Sequence, residues 1–195
     1  MIIFPYVIEF LGTPEAGKTT IVKKIVSNLE KQNYNVGFVR ESAEITPRDF
    51  EKGSVEGQLW MKFKTFESYL LSLKQDNHFV ILDRGVIDSL FFDYLFYLKE
   101  ELSLEQLCSS ISFCKNFNLL PNLIFVFTCS SDEVIKRRGG EGRLVTKNYI
   151  ENFNSSLFKF CADLSSEIVY IDTTNKSIST VESCVKQVIQ QKIRS

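Results

Sequence analysis

Residues 12–20 read GTPEAGKTT, which is the spacing Gly-x-x-x-x-Gly-Lys-Ser/Thr. The segment before it, Tyr6-Val7-Ile8-Glu9-Phe10-Leu11, is apolar and β-prone. The segment after it carries Ile21, Val22, Ile25, Val26 and Leu29 at helical spacing. The pattern therefore lies between a buried strand and a helix N-terminus, the setting in which its chemistry works. Gly12 and Gly17 let the chain curl, so that the main chain of Glu15, Ala16, Gly17, Lys18, Thr19 and Thr20 is expected to wrap phosphate oxygens at the positive end of the helix dipole. Lys18 would reach the outer phosphates and the Thr19 hydroxyl would ligate Mg²⁺. A chain built around this loop binds a nucleoside triphosphate.

The rest of the chain alternates in the same manner. Strand-like apolar runs are predicted at 35–40, 78–83 (HFVILD), 123–128 and 167–172. Helices are predicted between them at about 55–75, 87–100, 103–116, 147–165 and 177–194, with a short one through Val134 and Ile135 capped by Ser130 or Asp132. Run 78–83 is apolar almost throughout, as expected when both faces of a strand are covered. The alternation implies an α/β fold: a three-layer sandwich with a five-stranded parallel sheet between helices, in a single domain over 1–195. Ligands of such sheets bind at the carboxyl ends of the strands.

Several charged residues fall at that edge. Asp83 and Arg84 end the third strand, where a carboxylate would hold Mg²⁺ and an arginine would face phosphates. Asp88, on the helix that follows, either lines the same cleft or caps its helix. Arg40 and Glu41 end the second strand. If the phosphoryl acceptor is a hydroxyl, Glu41 is the general base; if it is itself a phosphate, Arg40 clamps it. Arg137, Arg138 and Arg143 flank Gly139-Gly140-Glu141-Gly142, a composition suited to a closing lid at about 137–146. The helix around Trp60, Met61, Phe63, Phe66, Tyr69 and Leu70 is mostly core, with one face available to wall an acceptor pocket. His78 is read as structural.

Composition narrows the partners. The net charge is −1, with 24% charged and 44% hydrophobic residues, so no broad field favours nucleic acid or a membrane surface. No apolar run approaches the ~20 residues of a membrane span. The 5 cysteines are odd in number and include no Cys-x-x-Cys pair, which favours a reducing, cytoplasmic setting over a disulfide framework or zinc site. Asn175-Lys176-Ser177 is too short a match for a guanine-reading segment, so a GTPase is not expected.

Taken together, residues 12–20, Asp83-Arg84, Arg40-Glu41 and the arginine-glycine segment resemble the P-loop kinases of the thymidylate kinase-like and deoxynucleoside kinase-like branch. The Arg-Glu pair is similar both to the pair after the second strand of thymidylate kinases and to the base-bearing Glu of nucleoside kinases. The resemblance implies ATP and Mg²⁺ as donor and ion and a small nucleotide or nucleoside acceptor. It also implies lid arginines on the phosphates, Thr173, Thr174 and Asn175 near adenine, and often a homodimer through the long helices. The sequence departs from thymidylate kinases where Ser42-Ala43 replaces Pro-Gly and Gly85 replaces an aromatic residue. In those features it is similar to a group of small P-loop ATPases and kinases. A nucleotide-gated ATPase and a kinase of a non-nucleotide small molecule are the other readings.

Overall fold

A computed structural model of the chain describes residues 5–51, 53–142 and 145–194. Among them, five parallel strands form one sheet in the order β2-β3-β1-β4-β5. The strands are β1 (Tyr6–Gly12), β2 (Val36–Val39), β3 (Phe79–Asp83), β4 (Leu123–Thr128) and β5 (Glu167–Asp172). The helices between them are α1 (Lys18–Lys31), α2 (Val55–Leu73), α3 (Val86–Leu98), α4 (Leu104–Asn116), α5 (Ser131–Arg138), α6 (Lys147–Ala162) and α7 (Ile178–Arg194). This is the expected three-layer sandwich. The differences are at element ends: the second strand contracts to four residues and leaves Arg40 beyond it, and the predicted 147–165 helix stops at Ala162.

The period of two along β1 separates two cores. Ile8 and Phe10 face one side, where they pack with α1 and with Val181, Val185 and Ile189 of α7. Val7 and Leu11 face the other, with Val86, Leu90 and Phe91 of α3, Tyr69 of α2 and Leu157 of α6. Phe10 stacks on Phe125 with centroids 5.0 Å apart, tying the central strands on the first side. Side chains cap helices at their starts: Ser54 caps α2, Ser103 and Gln106 form a reciprocal capping box on α4, and Ser130 and Thr146 cap α5 and α6. No helix among the described residues is long and apolar enough to cross a membrane.

Glu9 breaks the apolar pattern of β1 and is fully buried on the α3 side. A charge there needs partners. Its Oε1 accepts from the backbone N–H of Gly85 at 2.9 Å and Asp88 at 2.8 Å, and its Oε2 accepts from Ile87 N–H at 3.0 Å. The carboxylate thus satisfies the open donors of the first turn of α3 from across the sheet, a cap contributed by another element. Gly85 is required by the same contact: a Cβ there would lie 2.8 Å from Glu9 Oε2 and 2.6 Å from Leu82 Cδ1. The aromatic residue that thymidylate kinases carry after Asp-Arg has no room here, so the glycine and the buried carboxylate belong together.

Burial pushes the Glu9 carboxyl up to about 7, with the three N–H donors opposing it. A folded-state pKa above the unfolded value of 4.5 means that the folded chain binds the extra proton, so this group's contribution to stability is full below pH 4.5 and is lost as pH rises through about 7. Glu9→Gln removes that titration but leaves one oxygen for three donors. The expected result in urea unfolding is a variant less stable than wild type by roughly 1–3 kcal/mol near neutral pH, whose stability falls less steeply than that of wild type between pH 5 and pH 8. Equal slopes for the two proteins would show that Glu9 does not titrate in this range.

Candidate functional site

The loop between β1 and α1 is shaped by main-chain necessity. Gly12 has φ 135°, and a Cβ on it would come within 1.9 Å of the Phe127 carbonyl oxygen. The loop therefore lies directly against the end of β4, and Thr13 N–H donates to Phe127 O at 2.9 Å. Glu15 and Gly17 both adopt left-handed conformations, with φ of 57° and 84°. Gly17 is the N-cap of α1 and no side chain caps that helix, so its first-turn N–H groups are directed at whatever the loop encloses. Ala16 is buried, whereas Glu15 and Thr20 are exposed at the rim.

Lys18 is buried, and its Nζ donates to the carbonyls of Thr13 at 2.7 Å and Gly12 at 3.0 Å. Burial pushes its pKa down to about 7; the neighbouring Arg84 acts in the same direction, while Asp88, Glu41 and Asp83 oppose it. An ammonium so poorly solvated gains from any anion brought beside it.

Asp83, at the end of β3, is 1% exposed, and its Oδ1 has no hydrogen-bond partner. Burial raises its pKa, with the Thr19 hydroxyl and then Lys18 and Arg84 pulling the other way. A buried carboxylate oxygen with a free lone pair, close to a hydroxyl, fits Mg²⁺. Among the described residues no group of three His, Cys, Asp or Glu side chains gathers to hold a metal by itself. The Thr19–Asp83 pair therefore suits an ion that arrives already ligated by phosphate oxygens.

Arg84 has φ 60°, a left-handed conformation costing a non-glycine residue about 1–2 kcal/mol. The turn throws its side chain sideways, between two carboxylates. Nη1 donates to Asp88 Oδ1 at 2.9 Å, and Nε lies 2.8 Å from Glu41 Oε1, an ion pair without the alignment of a linear hydrogen bond. Burial lowers the Arg84 pKa, but Asp88, Glu41 and Asp83 outweigh it, so the guanidinium is held charged above its ordinary range. The Asp88 carboxyl is raised by burial against the pull of Arg84. Glu41, Arg84 and Asp88 line a cavity of about 130 Å³ with Ser42, Thr65, Gln58, Met61 and Phe92. Gln58 also lines a larger groove of about 680 Å³ between α2 and the α3–α4 region, above the buried Lys62–Asp93 pair. Of the aromatic and apolar residues singled out on the α2 helix, Met61 alone lines the 130 Å³ cavity. Arg40 is exposed, with its guanidinium 5.9 Å from the Phe38 ring centroid. It borders a smaller space with Thr19, Lys23, Glu41 and Asp83.

Of the three arginines read as lid residues, the two that are described have different surroundings. Arg137 is fixed: Nε donates to Glu133 Oε1 at 2.9 Å, Nη2 to the Thr173 carbonyl at 2.7 Å, and Nη1 to the Glu15 carbonyl at 3.2 Å. It fastens the phosphate loop to the segment after β5. Arg138 is exposed and lies over Gly142, where a Cβ would be 2.8 Å from its Nη2. Arg143 lies outside the described residues. Thr173 and Thr174 are held at the end of β4, Thr173 N–H donating to Thr128 O at 2.8 Å and Thr174 Oγ1 accepting from Ser130 N–H at 2.9 Å.

The structure thus brings Lys18, Thr19, Asp83, Arg84, Glu41 and Asp88 to one edge of the sheet, with Arg137 joining two of its loops and Arg40 turned to the rim. Sequence reasoning missed Glu9, Asn154 and the shared Gln58. A carboxylate inside an otherwise apolar strand was the available signal for Glu9. Asn154 and Gln58 carry no signal beyond being polar residues on helices.

No protein-family model and no curated protein matches the sequence. Solved structures do match in fold. A deoxyadenosine kinase from M. mycoides with bound dCTP superimposes with a TM-score of 0.69 at 20% identity, covering 95% of this chain and 99% of that one. The same enzyme with bound dATP gives 0.68 at 21% identity, covering 97% and 100%. Thymidylate kinase from Candida albicans gives 0.68 at 16% identity, covering 97% and 92%. The chain is folded, over nearly all its length, as the P-loop nucleoside and nucleotide kinases are folded.

Proposed function

We propose that the protein is an ATP-dependent kinase that moves the γ-phosphoryl group to a hydroxyl of a nucleoside-like acceptor. The observation that carries this reading is the position of Glu41, 2.8 Å from Arg84 at the wall of the cavity it shares with Asp88, while Arg40 lies outside against Phe38. A hydroxyl acceptor needs a base, and Glu41 is placed as one. A phosphate acceptor would need a clamp, and Arg40 borders the space beside Thr19 and Asp83, not the cavity lined by Arg84 and Asp88. Gln58, Met61 and Phe92 offer one polar and two apolar contacts on the same cavity, Phe92 a flat one, a combination suited to a ring with hydrogen-bonding edges. The groove bordered by Gln58 favours an acceptor larger than a simple alcohol.

In this reading the triphosphate occupies the loop, and Lys18, with two of its three N–H donors on the Gly12 and Thr13 carbonyls, turns the third to a phosphate oxygen. Mg²⁺ would be held by Thr19 and Asp83 and would supply charge neutralisation. Glu41 takes the acceptor proton as the acceptor oxygen bonds to the γ-phosphorus and the bond to the bridging oxygen breaks, leaving ADP and a phosphomonoester. Arg84, fixed by two carboxylates, faces the negative charge on the transferred group, and Arg138 approaches it from the segment after α5. Arg137 holds the donor-side walls together next to Thr173, Thr174 and Asn175. The five cysteines are unpaired, which supports a reducing compartment such as the cytoplasm. Phe63 and Leu70 on α2 and Phe113 and Phe117 beyond it on the α4 side are exposed, which supports a homodimer joined through these helices.

The test is phosphoryl transfer from ATP over deoxynucleosides, nucleosides, nucleoside monophosphates and small alcohols. Transfer to a nucleoside hydroxyl is expected. ATP loss independent of every acceptor would instead favour a nucleotide-gated ATPase, and transfer confined to monophosphates would return the clamp to Arg40. Lys18→Ala is expected to abolish transfer while leaving the unfolding transition in place. Glu41→Gln is expected to lower kcat about 100- to 10,000-fold with little change in ATP affinity. A fully active Glu41→Gln enzyme would remove the base assignment.

A further inference from the structure

Asn154 lies on α6, about two turns after the Thr146 cap and hence directly downstream of the glycine-arginine segment. Both ends of its amide are engaged away from its own helix. Nδ2 donates to the Cys129 carbonyl just past β4 at 3.0 Å. Oδ1 lies 2.6 Å from the Thr13 hydroxyl. That hydroxyl has one proton and a second acceptor, Phe127 O, at 3.3 Å; the nearer oxygen takes it, so the orientation of the Asn154 amide is determined. Thr13 is fully buried, and its carbonyl accepts from Lys18 Nζ at 2.7 Å and from Ala16 N–H at 3.3 Å. A single residue therefore stands between α6 and the Lys18 ammonium. The helix does not need this bridge in order to dock, because Ile150, Phe153, Leu157 and Phe160 already bury its apolar face.

We propose that Asn154 is a positioning residue which couples the place of α6 to the Thr13 carbonyl and through it to Lys18. The inference rests on the reading of the loop as a triphosphate site. When α6 moves, the amide moves the loop carbonyl against which Lys18 is set, so helix position and lysine position are linked by two hydrogen bonds.

A double-mutant cycle tests the link. Thr13→Val removes the hydroxyl at nearly constant shape and Asn154→Leu removes the amide. Each is expected to lower kcat for ATP turnover, with or without acceptor, by about tenfold, with KM for ATP changed less than about threefold. The double variant is expected to be about tenfold impaired, not a hundredfold, because both changes break one bridge. Thr13→Ser keeps the donor and should restore near wild-type turnover, and the Ala16 amide should exchange faster in Thr13→Val than in Thr13→Ser. Multiplicative losses, or kcat unchanged while the melting temperature falls, would overturn the proposal. Should Asn154→Leu fail to fold, the Thr13→Val and Thr13→Ser pair decides alone: equal turnover in the two overturns it. Calorimetry of wild type with ATP and Mg²⁺ separates the two levels. Absence of binding removes the triphosphate site and this inference with it, whereas normal binding with unaltered variants removes only the role of Asn154.

Discussion

The buried carboxylate of Glu9 is the contact on which the acidic edge of the site is built. It satisfies three donors at the start of α3 from the central strand. A helix N-terminus left open in an apolar layer would forfeit about 1–3 kcal/mol for each unmet N–H. With the turn fixed in this way, Gly85 can approach and Arg84 is forced into its left-handed conformation. Its side chain then has only the space between Glu41 and Asp88. The ion pairs seen at the cavity wall therefore follow from a capping interaction made one layer deeper.

The donor side is held by different means. Gly12 presses the loop against β4, Thr13 fills the junction, and Arg137 joins the Glu15 carbonyl to the segment after β5. These are mostly main-chain contacts, which in the kinase reading proposed above suits a site that receives the same phosphate groups every time. The cavity assigned there to the acceptor is lined by side chains, among them Glu41, Gln58, Met61 and Phe92, and it is there that sequence can vary to change what is bound.

Much of this was legible in the chain because period and punctuation agree. The run HFVILD reads as a strand covered on both faces, and β3 is buried throughout; GTPEAGKTT reads as a phosphate loop from its place between a strand and a helix, and that is where the structure has it. Lys18, Thr19, Asp83 and Arg84 were identified by their position relative to these elements, and they do converge. What sequence did not separate was Arg40 from Glu41: adjacent residues after a strand point in different directions, and the direction depends on a turn, Ser42–Glu44, that propensity does not define. Glu9 was hidden because one charged residue hardly lowers the apolarity of a strand, and its partners are main-chain groups far along the chain. Arg137 was expected on phosphate, but its i,i+4 partner Glu133 and the Thr173 carbonyl hold it.

Ile8 and Phe10 pack with α1 and α7 in one apolar layer, whereas Val7 and Leu11 pack with α2, α3 and α4 in another. The sheet separates them, and of the helices described only α6 contributes buried residues to both, through Ile150 on one side and Phe153 and Leu157 on the other. The molecule is in effect two half-shells hinged on a rigid plate. In the kinase reading proposed above, local opening of the α2–α4 half would admit or release an acceptor without unseating a nucleotide held at the loop before α1, so the two partners would exchange on separate clocks.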